Sequence, residues 1–190
     1  MSDEAIGLFG GSFNPPHVCH VLASVWALQT QPLDQLWWVP AWEHAFGKSL
    51  EPYHHRRRMC DLAVDGLEAI ALCDIERDLE LSHTIDTVRA LEERHPDRSF
   101  ALVVGSDILE ERDEWKQWDR LTDRVELIVV GRSGFGPDAQ PQTVPFELPD
   151  VSSTRLRDAL GEDPDPWVAS WLTAEVFDYI REHELYGVGD

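Results

Sequence analysis

A chain of 190 residues, 43% of them hydrophobic, is long enough to bury one substantial core and too short for two comfortable ones. Its formal net charge of −20 repels nucleic acid and acidic membranes and argues against a general polyanion binder, so any phosphate ligand needs a local basic pocket. No apolar stretch approaches membrane-span length, Met1-Ser2-Asp3-Glu4 lacks the basic start of a signal peptide, and three cysteines without a CxxC pair suit neither a disulfide framework nor a zinc site. The expectation is one cytoplasmic domain over residues 1–190 with reduced thiols, a C-terminal helical segment over about 152–186, and no nucleic-acid or membrane partner.

In chain order, residues 5–9 (Ala-Ile-Gly-Leu-Phe) read as an apolar strand and 17–29 as a helix with Val18, Val21, Leu22, Val25 and Leu28 on one side. A second strand spans 34–39. Residues 40–52 form a loop carrying Trp42, His44, Phe46, Gly47 and Lys48, followed by a helix over 53–66 and a strand over 69–75. Residues 84–93 fit a helix and 99–104 a buried strand that ends in Gly105-Ser106-Asp107. Short helical pieces bearing Trp115 and Trp118 come next, then an apolar strand over 125–130. The Gly/Pro-rich stretch 131–141 is a loop, 143–148 is extended, and helices cover 154–160 and 174–183.

This alternation predicts an α/β fold: a Rossmann-like, doubly wound parallel sheet with helices on both faces. Ligands of such sheets sit beyond the carboxyl ends of the strands, where residues 10–17, 40–48, 105–107 and 131–136 would gather. The GxGxxG fingerprint is absent because Gly7, Gly10 and Gly11 have the wrong spacing, which disfavours a hydride-transferring dehydrogenase. Cations are scarce. Lys48 and Lys116 are the only lysines, and the one dense cluster is His54-His55-Arg56-Arg57-Arg58, at least two of whose arginines read as a solvated helix face.

Two remote stretches have the chemistry to hold phosphate. Gly10-Gly11-Ser12-Phe13-Asn14-Pro15-Pro16-His17-Val18-Cys19-His20 joins a strand to a helix, so backbone amides and a helix start could face an anion, with both imidazoles on one face of the first turn. Val151-Ser152-Ser153-Thr154-Arg155-Leu156-Arg157 places hydroxyls at a helix start and an arginine one turn in. Together they predict a nucleoside triphosphate between two helix starts. Read singly, His17 or His20 is a packed or exposed side chain, Ser153-Thr154 a cap with Arg157 on the surface, Asp107 a cap and Lys48 a solvated cation.

The first stretch resembles the G-[ST]-F-[DN]-P-x-H-x-G-H signature of the nucleotidyltransferase superfamily, and the second its I-S-S-T-x-x-R signature. The segments Ser82 to Thr87, Gly105-Ser106-Asp107, Trp115 and Val130 to Phe135 are similar to the intervening motifs of bacterial nicotinate (nicotinamide) mononucleotide adenylyltransferases. The resemblance implies transfer of AMP from ATP to a pyridine mononucleotide, with pyrophosphate leaving, in NAD biosynthesis. It implies ATP and the mononucleotide as partners and Mg2+ carried by the ATP phosphates, without a protein metal site. By motif position His17, His20 and Arg157 are the catalytic residues. Gly10, Gly11, Ser12, Phe13, Gly105, Asp107, Arg132, Ser153 and Thr154 bind ATP, and Lys48, Thr84 and Trp115 meet the mononucleotide.

The chain departs from the pattern in three places. Cys19 stands where the signature has glycine between the histidines, which would shift the helix start or slow catalysis if close backbone approach is needed. Asn14 replaces aspartate, and the loop Trp42 to Lys48 differs from the usual pyridine-specificity loop. Nicotinamide mononucleotide as a preferred or dual substrate stays open, as do a phosphopantetheine adenylyltransferase, a cytidylyltransferase or a non-catalytic nucleotide-binding regulator. The S-S-T form of the late signature and Trp115 speak against the sister transferases, and Cys19 alone supports the regulator. The oligomeric state, a homo-oligomer included, is also open.

Overall fold

The computed structural model describes residues 4–43, 50–109, 111–132, 147–161 and 166–188. Its centre is a parallel sheet of six strands: β1 (Glu4–Gly11), β2 (Gln35–Pro40), β3 (Ile70–Leu72), β4 (Arg98–Gly105), β5 (Glu126–Arg132) and β6 (Glu147–Leu148). Their order is β3-β2-β1-β4-β5-β6, and every pairing is parallel. The helices are α1 (Val18–Thr30), α2 (Tyr53–Ala63), α3 (Ile75–Leu79), α4 (Thr84–Arg94), α5 (Trp118–Thr122), α6 (Ser153–Leu160), α7 (Pro166–Ala169) and α8 (Ala174–Glu182). Short 3-10 turns at Ser106–Leu109, Arg112–Glu114 and Leu185–Gly187 complete the described elements.

Side chains alternate across the pleat with a period of two, so a strand covered on both faces is apolar throughout. In β4, Ala101 and Val103 join a core with Phe13, Trp26, Trp38, Met59, Leu156 and Val176. Phe100, Leu102 and Val104 point the other way, into a core with Ile85, Val88, Leu91 and Leu121. Each fully buried aliphatic side chain of this kind contributes roughly 1.5–3 kcal/mol. A Cβ on Gly7 would lie 2.8 Å from Leu33 Cδ1, so a larger residue there needs the half-buried Leu33 side chain to swing aside.

The expected strand over 69–75 is shorter than its apolar run, because β3 stops at Leu72. The Cys73 N–H still bonds Trp38 O at 2.8 Å, and Ile75 then opens α3, burying its side chain. A helix of five residues is too short to display a period of 3.6, which is why α3, and likewise the four-residue α7, left no pattern in the sequence. The expected loop 131–141 lies outside the described residues beyond Arg132, as does most of the extended run 143–148. No described helix is long and apolar enough to cross a membrane.

Candidate functional site

After β1 the chain continues to β2 on one side of the sheet, and after β4 it continues to β5 on the other. Such a reversal opens a crevice at the carboxyl ends of the two central strands. Two cavities lie side by side there, of ≈ 270 Å³ and ≈ 200 Å³. Gly10, Val103, Val104, Ile108 and Trp115 line both. A Cβ on Gly10 would meet nothing within 4 Å, so a side chain there would project into the space the cavities share.

The smaller cavity is lined by His17, Cys19, His20, Gly105 and Asp107. His17 caps α1, and its N–H donates to His20 Nδ1 at 3.0 Å. In the neutral ring the proton of His20 therefore sits on Nε2, which leaves the far side of the imidazole as the donor. The rings of His17 and His20 are 3.8 Å apart. Trp38 Nε1–H donates to Ser24 Oγ at 2.7 Å, and Ser24 Oγ–H to His20 O at 2.8 Å, so β2 holds the first turn of α1 in place. Phe13 enters the loop with φ +45, a left-handed backbone that a non-glycine residue tolerates when packing fixes it. Its buried ring stacks on Trp38 at 4.6 Å and lies 5.0 Å from that of His20.

The amides at the start of α1 are less available than expected. Val18 N–H bonds Trp171 O and His20 N–H bonds His17 O, both at 2.8 Å, so the turn presents imidazole to the cavity more than backbone donors. Cys19 sits in the first turn of α1. It is buried, with Sγ 4.0 Å from Pro149 O.

The late turn sits against the early loop. Ser152 is the cap of α6, accepting from Arg155 N–H, and Ser153 and Arg157 reach across the chain. Ser153 Oγ–H donates to Pro15 O at 2.9 Å, and Arg157 Nη1 to Asn14 O at 2.7 Å. Arg157 Nη2 also donates to the exposed Thr154 Oγ1 at 3.3 Å. The hydroxyl hydrogen of Ser153 is thus already engaged, whereas among the described residues Thr154 donates to none and Arg157 uses two of the five N–H donors of a guanidinium. Asn14 Oδ1 accepts from Glu51 N–H at 3.1 Å and from Tyr186 O–H at 3.0 Å. Burial pushes the Tyr186 hydroxyl up in pKa, keeping it a donor.

The larger cavity is lined by Ser12, Ala41, Glu43, Glu76, Ser82, Thr84, Thr87, Glu111 and Trp115 among others. Thr84 opens α4 behind its cap His83. Trp115 follows the second 3-10 turn, packs edge-on against Trp118 at 5.7 Å, and buries its Nε1 without a hydrogen-bond partner among the described residues. Gly11 closes β1, Asp107 lies in the first turn of the Ser106–Leu109 helix, and Arg132 ends β5. Lys48 and His44 lie outside the described residues.

Two buried ionic residues of this site were not singled out in the sequence. Arg56 is 1% exposed and donates at 2.8 Å each to Ser12 O, Ala41 O and Glu51 O. It ties the loop after β1 to both ends of the loop between β2 and α2, and burial lowers its pKa. Glu76 is 9% exposed, accepts from Thr87 Oγ1 at 2.9 Å and, at a long 3.4 Å, from Trp42 N–H. Burial pushes its carboxyl up to about 7, against the smaller downward pull of the Thr87 hydroxyl, the Trp42 amide and Arg56. Of the basic cluster only the other two arginines fit a solvated face, Arg57 beside Asp61 and Asp74 and Arg58 beside Asp61. Among the described residues no group of three His, Cys, Asp or Glu could hold a metal ion.

The chain matches the cytidylyltransferase-like family over residues 8–159. It is 41% identical over 187 residues to a probable nicotinate-nucleotide adenylyltransferase of Anaeromyxobacter dehalogenans, covering 95% of this chain and 96% of that protein. It is 39% identical over 185 residues to one of Myxococcus xanthus, covering 96% and 95%. Its fold superposes with a TM-score of 0.84 on Plasmodium falciparum nicotinic acid mononucleotide adenylyltransferase complexed with NaAD, at 24% identity, over 96% of this chain and 97% of that one.

Proposed function

The chain belongs to the cytidylyltransferase-like family, among relatives named nicotinate-nucleotide adenylyltransferase, and on that premise we propose that it adenylylates nicotinate mononucleotide with ATP. An oxygen of the mononucleotide 5′-phosphate attacks the α-phosphorus, the bond from that phosphorus to the bridging oxygen breaks, and nicotinate adenine dinucleotide and pyrophosphate result. The attacking phosphate is already an anion, so the protein needs no covalent intermediate. Its tasks are alignment and neutralisation of the charge that builds on the phosphoryl oxygens.

The observation that carries this reading is the meeting of the two remote turns: Ser153 and Arg157 hydrogen-bond the backbone of Pro15 and Asn14 beside the His17–His20 pair. In the proposed arrangement His20 donates from Nε2 to the reacting phosphates, with His17 beside it. Thr154 and Arg157 hold the distal phosphates, joined by Ser153 when it exchanges its bond to Pro15. Gly10, Gly11, Ser12 and Phe13 offer a backbone surface without intruding side chains, and Asp107, beside Gly105, accepts from a ribose hydroxyl. Arg132 is assigned to the nucleotide by motif position, as Lys48 is to the mononucleotide phosphate. Thr84 and Trp115 receive the pyridine ring in the larger cavity. The donors at the triphosphate end are imidazole, hydroxyl and guanidinium, which suit phosphate oxygens rather than a cation, so magnesium enters as part of the substrate, Mg-ATP.

Nicotinamide mononucleotide as a second substrate is favoured by one observation: Glu43, Glu76 and Glu111 line the larger cavity, and carboxylates tolerate a neutral carboxamide better than another carboxylate. The test is pyrophosphate release from ATP, magnesium and each mononucleotide in turn. Release above that of a His20→Ala control with nicotinate mononucleotide supports the proposal, and none with either substrate overturns it.

A further inference from the structure

The peptide bond between Ala41 and Trp42 is held at both ends by buried ionic side chains. Its carbonyl, Ala41 O, accepts from Arg56 Nη2 at 2.8 Å, and its amide, Trp42 N–H, donates to Glu76 Oε2 at 3.4 Å. Ala41 N–H is fixed as well, to Gly11 O at 2.9 Å. Ala41 and Glu43, on either side of this unit, line the larger cavity together with Glu76 itself. The other carboxylate oxygen of Glu76 takes the hydroxyl of Thr87, from the helix that Thr84 opens.

We propose that ionised Glu76 is a positioning residue for the mononucleotide: with Arg56 it grips the Ala41–Trp42 peptide bond and so sets the spacing between the wall after β2 and the wall formed by α4. The inference rests on the function proposed above and assigns Glu76 to one of its two substrates. The Arg56 bonds persist in either charge state of Glu76, so protonation loosens one end of the grip. The groups facing Glu76 leave this response simple. From α2 comes Arg56, from α4 the neutral Thr87, and β2 carries no ionisable side chain. On its own helix Asp74 is engaged with Tyr53, Arg57 and Arg77, and Arg77 with Asp78. Glu43 and Glu111 share the cavity wall. A carboxyl raised to about 7 by burial changes charge in the range where the grip would be tested.

The experiment is steady-state kinetics of the full chain, wild type and Glu76→Gln, with ATP and nicotinate mononucleotide varied separately from pH 6 to 8.5. A neutral amide replaces a charge-assisted acceptor and offers an N–H to one of two donors, a difference of about tenfold. At pH 8 the variant is expected to raise KM for the mononucleotide about tenfold and KM for ATP less than twofold. Wild-type KM for the mononucleotide rises as pH falls through about 7, and the ratio of variant to wild type shrinks toward one. Titration of the substrate phosphate is common to both proteins and cancels in that ratio. Equal changes in both KM values, or a ratio that does not move with pH, overturn the proposal. A second measurement needs no variant: amide exchange at Trp42 in the wild type, corrected for intrinsic rates, is expected to be better protected at pH 8 than at pH 6, and equal protection overturns the proposal. A wild type that releases no pyrophosphate sinks the assigned reaction, while the exchange result still reports on the grip.

Discussion

The smaller cavity takes its imidazoles from one short run of sequence, 10–20, against which the turn 151–157 is held by bonds from the Ser153 and Arg157 side chains to the backbone of Pro15 and Asn14. The larger cavity takes its chemistry from side chains scattered over the β2–α2 loop, α3, α4 and the segment before α5, braced by Arg56 and Glu76. The polar groups of the first, His17, His20 and Asp107, each stand in a turn whose conformation is local. The second exists only when four segments are packed at once. In the proposed assignment, groups that meet a triphosphate can be delivered by separate loops, because the ligand is long and carries charge along its whole length. A flat heteroaromatic ring has to be enclosed, and enclosure is a tertiary property.

The sharpest way to break this contrast is to remove one donor from the loop-built side. His20→Ala is expected to lower kcat/KM by roughly 10²–10³, the usual cost of one preorganised donor to a developing oxyanion, with little change in the midpoint of thermal unfolding. A loss under threefold would mean that the imidazole turn does not touch the reaction.

Stability against pH tests the braced side. Burial raises the Glu76 carboxyl from its ordinary value of 4.5 to about 7 in the folded state. For a carboxyl raised in this way, the favourable contribution is present below the unfolded value and is lost as pH rises through the folded one, an effect of at most ~3 kcal/mol. Denaturant unfolding of wild type is therefore expected to weaken relative to Glu76→Gln between pH 5 and 8, and parallel curves would refute it. The charge that serves substrate positioning is one the fold disfavours.

A smaller effect sharpens the division between substrates. Trp115→Ala removes a stacking face worth about 1–1.5 kcal/mol, so KM for the mononucleotide should rise about tenfold. Because Trp115 also lines the smaller cavity, KM for ATP should rise too, by less, and equal increases would deny the ring its assigned place. The smallest effect is expected from Tyr186→Phe, which deletes one of two hydrogen bonds to Asn14 Oδ1 and should lower the unfolding free energy by about 1 kcal/mol.

What the sequence disclosed follows the same division. The strand and helix runs are long enough to display their periods, and the turns at 10–20 and 151–157 are local arrangements of glycine, hydroxyl and imidazole, legible as such. The tie between them was not foreseen in its detail: Ser153 looked like a donor to phosphate, and it is bonded to Pro15. Arg56 was hidden because an arginine between basic neighbours reads as surface, and only tertiary structure shows its three carbonyl partners, one after β1 and one at each end of the β2–α2 loop. Glu76 was hidden because it stands just past an apolar run read as strand to Ile75, at the start of a helix too short to display periodicity. The start of α1 taught the reverse lesson, since a helix terminus that looked ready for an anion has its Val18 amide taken by Trp171.

The bond from Tyr186 to Asn14 spans 172 positions, and it carries a consequence for biosynthesis. While the polypeptide is still emerging from the ribosome, the asparagine of the early loop waits for a tyrosine translated 172 positions later. An incomplete product, even one carrying both signature turns, would enter the cell with that loop lacking one of its anchors.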